Sequence, residues 1–278
     1  MTGGRYAGGS TGRADSGLSV PGLSGRTALV TGGSRGIGRA VARMLATSGA
    51  QVGIGYRSDH VAAEDAVREL LDIAGHPDGS AIRPWAEASD VATAAGVERL
   101  FERADAEFGG RLDVLVGNAG IWNDEPRPVT DLDPAEWHRM METNLTSAYL
   151  CTRAAIHRME SGGRVILITS TAAQRGEAGH SHYAASKGAL HSFIKSLAVE
   201  VGPRGITVNG VAPGWVDTDM SAGVLHGSER VRICEEIPVG RIATPDDIAG
   251  PVVFLASDLA RHVNGEIINV NGGSVLCG

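Results

Sequence analysis

The segment Tyr183-Ala-Ala-Ser-Lys187 places a phenol and an ammonium group four residues apart. On a helix, side chains at positions i and i+4 lie on one face about one turn apart, so both groups are expected to point into the same cleft. A phenol with a pKa of about 10 is a poor proton donor or acceptor at neutral pH, and we expect the neighbouring cation to lower that pKa. The chain has 25 basic residues, of which only Lys187 and Lys195 are lysine. A lysine at position 187 therefore suggests a chemical need that arginine does not meet.

Ser170 lies thirteen residues before Tyr183 and ends the apolar run RVILITS. A hydroxyl at the end of a strand can hydrogen-bond a substrate carbonyl beside the phenol. The spacing of Tyr183 and Lys187 alone is equally consistent with an ordinary amphipathic helix. The presence of Ser170 favours an acid/base site.

A glycine-rich loop, TGGSRGIG, follows the first predicted strand and opens a helix. Glycines allow the backbone to approach a pyrophosphate closely, and a helix N-terminus offers free N–H groups. We expect this loop to bind a dinucleotide through Gly32, Ser34, Arg35, Gly36, Ile37 and Gly38. The alternative is a plain turn in a chain that contains 39 glycines.

The residue at the end of the second strand indicates which dinucleotide binds. Sites for NAD usually carry Asp or Glu here to hold the ribose hydroxyls, but this chain has Tyr56 followed by Arg57. Arg57 and Arg35 can donate hydrogen bonds to a 2′-phosphate, so NADP(H) is predicted over NAD(H). Two alternatives remain open: both arginines are ordinary surface charges, and the nearby Asp59 weakens the preference.

The elements that position these residues form an alternating pattern. Short β-rich runs (TALVTGG, QVGIGY, LDVLVGNAG, RVILITS, ITVNGVAP, EIINVNGG) alternate with helical stretches near residues 37–48, 62 onward, 134–159 and 183–201. This pattern predicts an α/β fold with a doubly wound parallel sheet of the Rossmann type in a single domain, residues 25–278. Residues 1–24 are rich in Gly and Ser and are predicted to be a disordered tail.

Charge and composition exclude several classes of protein. The net charge of −7, without a basic cluster, argues against nucleic acid as a partner. Three widely spaced cysteines fit neither a disulfide framework nor a zinc site, and His180 and His182 lack a third ligand at metal spacing, so no metal is expected. The sequence contains no long apolar stretch and no signal-peptide pattern, so we expect a cytoplasmic protein without membrane association.

In combination, TGGSRGIG and YAASK resemble the TGxxxGxG and YxxxK motifs of the short-chain dehydrogenase/reductase family, from about residue 25 to the C-terminus. The resemblance implies that Asp90 and Val91 contact the adenine and that Asn144 completes a Ser-Tyr-Lys-Asn tetrad. It also implies further cofactor contacts from Asn118, Ala119, Gly120, Pro213, Gly214, Val216 and Thr218. One departure is visible, because Gly117 stands where the family's NNAG motif has its first Asn.

The family resemblance implies hydride transfer between NADP(H) and a ketone or secondary alcohol, with Tyr183 as the acid or base. The overall pattern is similar to 3-oxoacyl-carrier-protein reductases, which dock an acidic carrier through basic positions. Arg204 matches one of those positions, but Leu150 occupies another. The alternatives are a non-catalytic NADP(H)-binding sensor and, with less support, a sugar epimerase. By the same resemblance we expect a homotetramer. Trp122, Gln174, Trp215 and residues 221–237 follow strand ends or link elements, so we expect them to line or cover the substrate cleft; ordinary packing is the alternative.

Overall fold

The computed structural model describes residues 20–74 and 83–276. Its centre is a seven-stranded sheet in the order β3-β2-β1-β4-β5-β6-β7, with every neighbouring pair parallel. The strands are β1 Thr27–Thr31, β2 Gln51–Tyr56, β3 Trp85–Ala88, β4 Val114–Gly117, β5 Arg164–Ile168, β6 Thr207–Pro213 and β7 Ile267–Val270. The order reverses between β1 and β4, and a doubly wound sheet binds its ligand at such a point. The predicted fold class is confirmed.

Helices cover both faces of this sheet. They are α1 Gly36–Thr47, α2 His60–Ala74, α3 Ala94–Phe108, α4 Pro134–Met141, α5 Ser147–Arg158, α6 Ala172–Arg175, α7 Ser181–Val201, α8 Gly227–Glu236 and α9 Pro245–Ala256. None of these described helices combines the length and apolarity that a membrane span requires. One core packs α1, α2 and α9 against the sheet, and a second packs α3, α5 and α7 against the opposite face.

Adjacent residues of β1 illustrate why the strands are apolar throughout. Val30 belongs to the first core and Leu29 to the second, and both are fully buried. Successive side chains of a strand point to opposite faces, so a sheet covered on both sides needs apolar residues at every position. The continuous apolar runs seen in the sequence follow from this requirement.

Five elements, β3, α3, α6, α8 and α9, were not predicted. The sequence of β3 is only WAEA, and three of its four residues are half-buried, so it lacks the apolar run that identifies the central strands. It lies at the edge of the sheet beside β2. An edge strand needs less apolar surface, which weakens its signal in the sequence.

The predicted disordered tail has the wrong boundary. Leu23 is fully buried in the first core, and the Pro21 carbonyl oxygen accepts a hydrogen bond from the Asp258 amide at 3.2 Å. Residues 20–24 therefore belong to the fold, because one large apolar side chain anchors them. Residues 1–19 lie outside the described part, so the tail remains a prediction for them.

Candidate active site

The glycine loop between β1 and α1 has a backbone that only small residues permit. Gly32 and Gly36 have φ values of +64° and +52°, in the left-handed region that favours glycine. A Cβ added at Gly38 would lie 2.2 Å from the Gly32 carbonyl oxygen. The loop backbone can therefore approach a ligand closely, and the N-terminus of α1 is a helix end of the kind that binds anionic groups.

Asn118, at the end of β4, fixes this loop to the sheet. Its side-chain Nδ2 donates to the carbonyl oxygens of Thr31 and Gly32, each at 3.0 Å. The Thr31 hydroxyl oxygen accepts from the amides of Asn118 and Ala119 at 3.0 and 3.1 Å. Asn118, predicted to contact the cofactor, lines the groove beside this loop, and its side chain holds the loop together.

A groove of about 460 Å³ runs from the loop along the ends of β1, β2 and β4. It brings together all the predicted residues of the adenine end, namely Ser34, Arg35, Tyr56, Arg57, Asp90 and Val91. Gly32, Gly36, Ile37, Ala119, Gly120 and Thr218 line it as well. Arg35 lies 3.6 Å from a carboxylate oxygen of Asp59 and 3.7 Å from one of Asp219. The carboxylate of Asp59 also accepts from the Ala62 amide at the start of α2.

Ser170, Tyr183 and Lys187 line one cavity of about 320 Å³ that adjoins this groove. Ser170 follows β5, and Tyr183 and Lys187 lie one turn apart on α7. The Ser170 side chain lies close enough to the Tyr183 hydroxyl to lower its pKa. Lys187 is buried, and its Nζ donates to the Ile168 carbonyl oxygen at 2.9 Å. The three residues selected from the sequence therefore converge.

The expected effect of Lys187 on Tyr183 differs from what the structure gives. Burial raises the pKa of Tyr183 to about 12, although the Ser170 side chain opposes this rise. Burial lowers the pKa of Lys187 to about 8. A phenolate and an ammonium both lose hydration inside the protein, so burial disfavours both charged forms. Lys187 is not among the groups that lower the Tyr183 pKa here, because its ammonium is directed to a backbone carbonyl.

Asn144 lies in a short π-helical segment, Glu142–Thr146, between α4 and α5. Its Oδ1 accepts from the Ile121 amide at 2.7 Å, and its Nδ2 lies 3.0 Å from the Ile121 carbonyl oxygen and 3.1 Å from the Ser186 hydroxyl. A Cβ added at Gly120 would lie 3.1 Å from Asn144 Oδ1 and 3.4 Å from Lys187 Nζ. Asn144 and Lys187 are therefore neighbours across Gly120, and π-helical turns are frequent at functional sites.

The segment after β6 forms the opposite wall. Pro213, Gly214, Val216 and Thr218, all predicted, line the same cavity as Tyr183. Val216 forms an isolated bridge with Ala243, and the Ser221 hydroxyl donates to the Thr218 carbonyl oxygen at 3.0 Å. These contacts fix the direction of the chain as it leaves the sheet.

Aromatic residues form the outer wall of the cavity. Trp122 stacks on His180 with ring centres 5.1 Å apart, and its edge meets Trp215 at 5.7 Å. Met220, Ile233 and Ile237 add apolar surface. Trp122, Trp215 and part of 221–237 thus lie where the sequence predicts. Gln174 is not part of this lining, because its side chain hydrogen-bonds Asn269 of β7.

The sequence interpretation missed Arg175 and Glu177, which also line the cavity. The feature of the sequence that could have identified them is their position between Ser170 and Tyr183.

His182 is buried with Nε2 3.8 Å from a carboxylate oxygen of Glu136, and burial lowers its pKa. In the described part of the chain, no three His, Cys, Asp or Glu side chains converge as a metal site.

The missing asparagine at position 117 is explained by packing. A Cβ at Gly117 would lie 2.5 Å from Leu167 Cδ2, so Leu167 fills the space that a larger residue would need. Glycine in place of asparagine at position 117 therefore affects packing inside the sheet and does not change the lining of the cavity that contains Tyr183.

Comparisons with known proteins agree with this geometry. The family model described as "Enoyl-(Acyl carrier protein) reductase" matches residues 32–274. The 3-oxoacyl-[acyl-carrier-protein] reductase FabG of Escherichia coli is 41% identical over 256 residues, covering 91% of this chain and 99% of that protein. The chain belongs to the short-chain dehydrogenase/reductase family. Cis-4-hydroxycyclohexanecarboxylate dehydrogenase of Sinomonas cyclohexanicum, also 41% identical, covers 89% of this chain and 96% of its own.

Solved structures of short-chain dehydrogenase/reductases have the same fold. A short-chain dehydrogenase from Burkholderia cenocepacia in complex with NADP has a TM-score of 0.83 and 35% identity, covering 91% of this chain and 98% of its own. A dehydrogenase/reductase from Sinorhizobium meliloti has a TM-score of 0.85 and 36% identity, covering 95% and 100%. The predicted family and the prediction of an oxidoreductase enzyme are confirmed.

Proposed function

We propose that this enzyme transfers a hydride between NADP(H) and a ketone or secondary alcohol. The observation that carries the proposal is the convergence of Ser170, Tyr183 and Lys187 on one cavity that adjoins the groove beneath the glycine loop. The comparisons give no support to the alternative of a non-catalytic sensor, and such a protein would not need these three side chains together.

The residues present fit a dinucleotide. A Cβ at Gly38 would collide with the loop backbone, so the loop keeps the close-approach geometry that a pyrophosphate needs. The loop and the α1 N-terminus would hold the pyrophosphate, Asp90 and Val91 the adenine, and the segment after β6 the nicotinamide. When bound, NADPH supplies the hydride. The similar Burkholderia dehydrogenase, solved in complex with NADP, supports the choice of this dinucleotide.

The chain's own side chains then have separate tasks. Tyr183 donates the proton to the carbonyl oxygen in reduction and removes it in oxidation, and its raised pKa keeps the phenol protonated at neutral pH. Ser170 orients the substrate oxygen beside that phenol. Lys187 holds the ribose hydroxyls, and Asn144 fixes the backbone next to Lys187 through Ile121.

The preference for NADPH rests on Arg35 and Arg57, which line the groove at the adenine end. Arg35 is shared between two carboxylates, so Arg57 is the freer donor to a 2′-phosphate. We expect Arg57→Asp to weaken NADPH binding at least tenfold and to leave NADH binding unchanged or tighter. Arg261→Gln, a remote exposed arginine, is the control. An unmodified enzyme equally efficient with NADH would contradict the preference.

A carrier-bound substrate is the second candidate because of the similarity to carrier-protein reductases. The Arg204 guanidinium donates to the carbonyl oxygens of Ile156 and Met159 at 3.0 and 2.9 Å, and Leu150 replaces the other basic position. These contacts occupy part of the Arg204 donors, and only one of the two basic positions is present, so support for an acidic carrier is weaker. NADPH oxidation with free ketones, compared with the same acyl group on a carrier protein, tests the two candidates.

Assembly and location are further parts of the proposal. We propose a homotetramer in which α4, α5 and α7 pair between subunits. Its support is the exposed apolar surface of Tyr149 and Val199 on these helices. A monomeric mass at micromolar concentration would contradict it. We also propose a cytoplasmic location, which cell fractionation tests.

A further inference from the structure

The cavity that contains Ser170 and Tyr183 has two cations on its wall that form no ion pair among the described residues: Lys187, whose ammonium donates to the Ile168 carbonyl oxygen, and Arg175. Besides Lys187, its charged lining consists of Arg175, Glu177 and Glu236. Glu236 is paired with Arg232, and the Glu177 carboxylate lies 3.6 Å from His180 Nδ1. Within residues 20–74 and 83–276, Arg175 forms no salt bridge. Its guanidinium is therefore available to a ligand in the cavity.

The backbone around Arg175 holds it at this wall. Arg175 ends α6, and its amide donates to the Thr171 carbonyl oxygen at 3.2 Å. The next residue, Gly176, has φ of +72° and donates to the Ala172 carbonyl oxygen at 3.0 Å. Gln174 is tied to Asn269 on the neighbouring part of the sheet. The backbone is thus fixed on both sides, whereas the exposed Arg175 side chain becomes ordered only when its guanidinium engages a ligand.

The rest of the wall suits a small, compact hydrocarbon body. The stacked Trp122 and His180 rings and the perpendicular Trp215 present flat surfaces, and Ile233 and Ile237 complete the apolar lining. The cavity of about 320 Å³ also borders the segment assigned to the nicotinamide, so only part of it is free for substrate. A ring or short chain fits this space.

We propose that the substrate is a small ketone, or the matching alcohol, that carries a carboxylate, and that Arg175 binds this carboxylate. The inference rests on the proposed function and specifies its substrate class. A guanidinium pairs with a carboxylate through two parallel hydrogen bonds, which fixes orientation as well as charge. The carboxylate on Arg175 and the ketone oxygen on Ser170 and Tyr183 would align the substrate at both ends.

The experiment measures NADPH oxidation with 4-oxocyclohexanecarboxylate, its methyl ester and 4-aminocyclohexanone. We expect kcat/KM for the carboxylate to exceed that for the ester by about tenfold. This ratio corresponds to the low end of what a charge-assisted hydrogen bond contributes, because Arg175 is exposed to solvent. Added salt should reduce this ratio. Arg175→Gln should bring the ratio close to one, Arg175→Lys should retain part of it, and Arg261→Gln should leave it unchanged.

A second measurement does not depend on turnover. Cyclohexanecarboxylate, which has no ketone, should change the fluorescence of Trp122 and Trp215 in the unmodified enzyme and bind at least fivefold more weakly to Arg175→Gln. A preference for the amine, equal turnover of acid and ester, or binding unaffected by Arg175→Gln would overturn the assignment. If no ketone oxidises NADPH, the proposed function fails, whereas the fluorescence titration still decides whether Arg175 binds the carboxylate.

Discussion

Replacing Tyr183 by Phe removes one hydroxyl from the cavity and keeps the aromatic ring. The hydroxyl is the group that faces Ser170 and, in the proposed mechanism, the substrate oxygen. General acid catalysis typically contributes about 10²- to 10⁴-fold, which corresponds to about 2.7 to 5.4 kcal/mol of barrier. We expect kcat for ketone reduction to fall at least 100-fold in Tyr183→Phe.

The fold and cofactor affinity should change little in this variant. The lost interaction with Ser170 is worth at most about 1 kcal/mol, or roughly 2–4 °C in Tm for a chain of this size. NADPH affinity, measured by fluorescence titration, should stay within about threefold because the ring still packs in place. Tyr149→Phe, which removes a hydroxyl from a side chain that is 47% exposed, is the matched control. If Tyr183→Phe kept more than about a tenth of the activity, less than 1.4 kcal/mol would depend on the phenol, and its assignment as proton donor would be refuted.

Three further predictions concern the loop, the lysine and a helix cap. Gly38→Ala should abolish NADPH binding because its Cβ would lie 2.2 Å from a backbone oxygen. The control Gly250→Ala, where the added Cβ meets open space on α9, should raise Tm slightly. Equal cofactor affinity in the two variants would refute the close-packing argument. Lys187→Arg keeps the charge but not the compact shape, so NADPH KM should rise and kcat fall; a wild-type KM would show that Lys187 does not hold the ribose. The Arg241 guanidinium holds the pKa of Asp247 well below its usual range, so this pair stabilises the fold above about pH 4 and loses its effect as pH falls through the Asp247 titration. Asp247→Asn should cost about 1 kcal/mol in urea unfolding at pH 7 and a smaller but still measurable amount at pH 3, where the folded protein keeps the carboxylate ionised; an equal cost at both would contradict the linkage.

The sequence predicted the parts of the fold that have strong periodic signals. The central strands were identified because burial on both faces demands uninterrupted apolar residues. The edge strand β3 was missed because Trp85 is the only buried residue in its four. The fold also begins earlier than predicted, since composition identified a Gly- and Ser-rich stretch but could not show that Leu23 fills a place in the core.

The candidate site was predictable where spacing fixes geometry. Tyr183 and Lys187 share a helix, and Ser170 ends the strand beside it, so their convergence follows from the topology. Arg175 was not predicted, because a four-residue helix after Ser170 turns it towards the cavity. The pKa values could not be predicted either, since they depend on how far the surrounding side chains exclude water.

Burial of Tyr183 and Lys187 explains how one site keeps two titrating groups in useful states. Desolvation raises the pKa of the phenol to about 12 and lowers that of the ammonium to about 8. At neutral pH the phenol therefore carries its proton and Lys187 still carries most of its charge. The phenol would carry its proton at neutral pH even with its ordinary pKa, so the main effect of burial is to disfavour the phenolate that oxidation requires. The Ser170 side chain opposes the rise in the Tyr183 pKa, so this serine contributes to acid/base balance as well as to substrate orientation. Removing Ser170 should therefore shift the pH profile of alcohol oxidation towards higher pH, because oxidation starts from the deprotonated phenol.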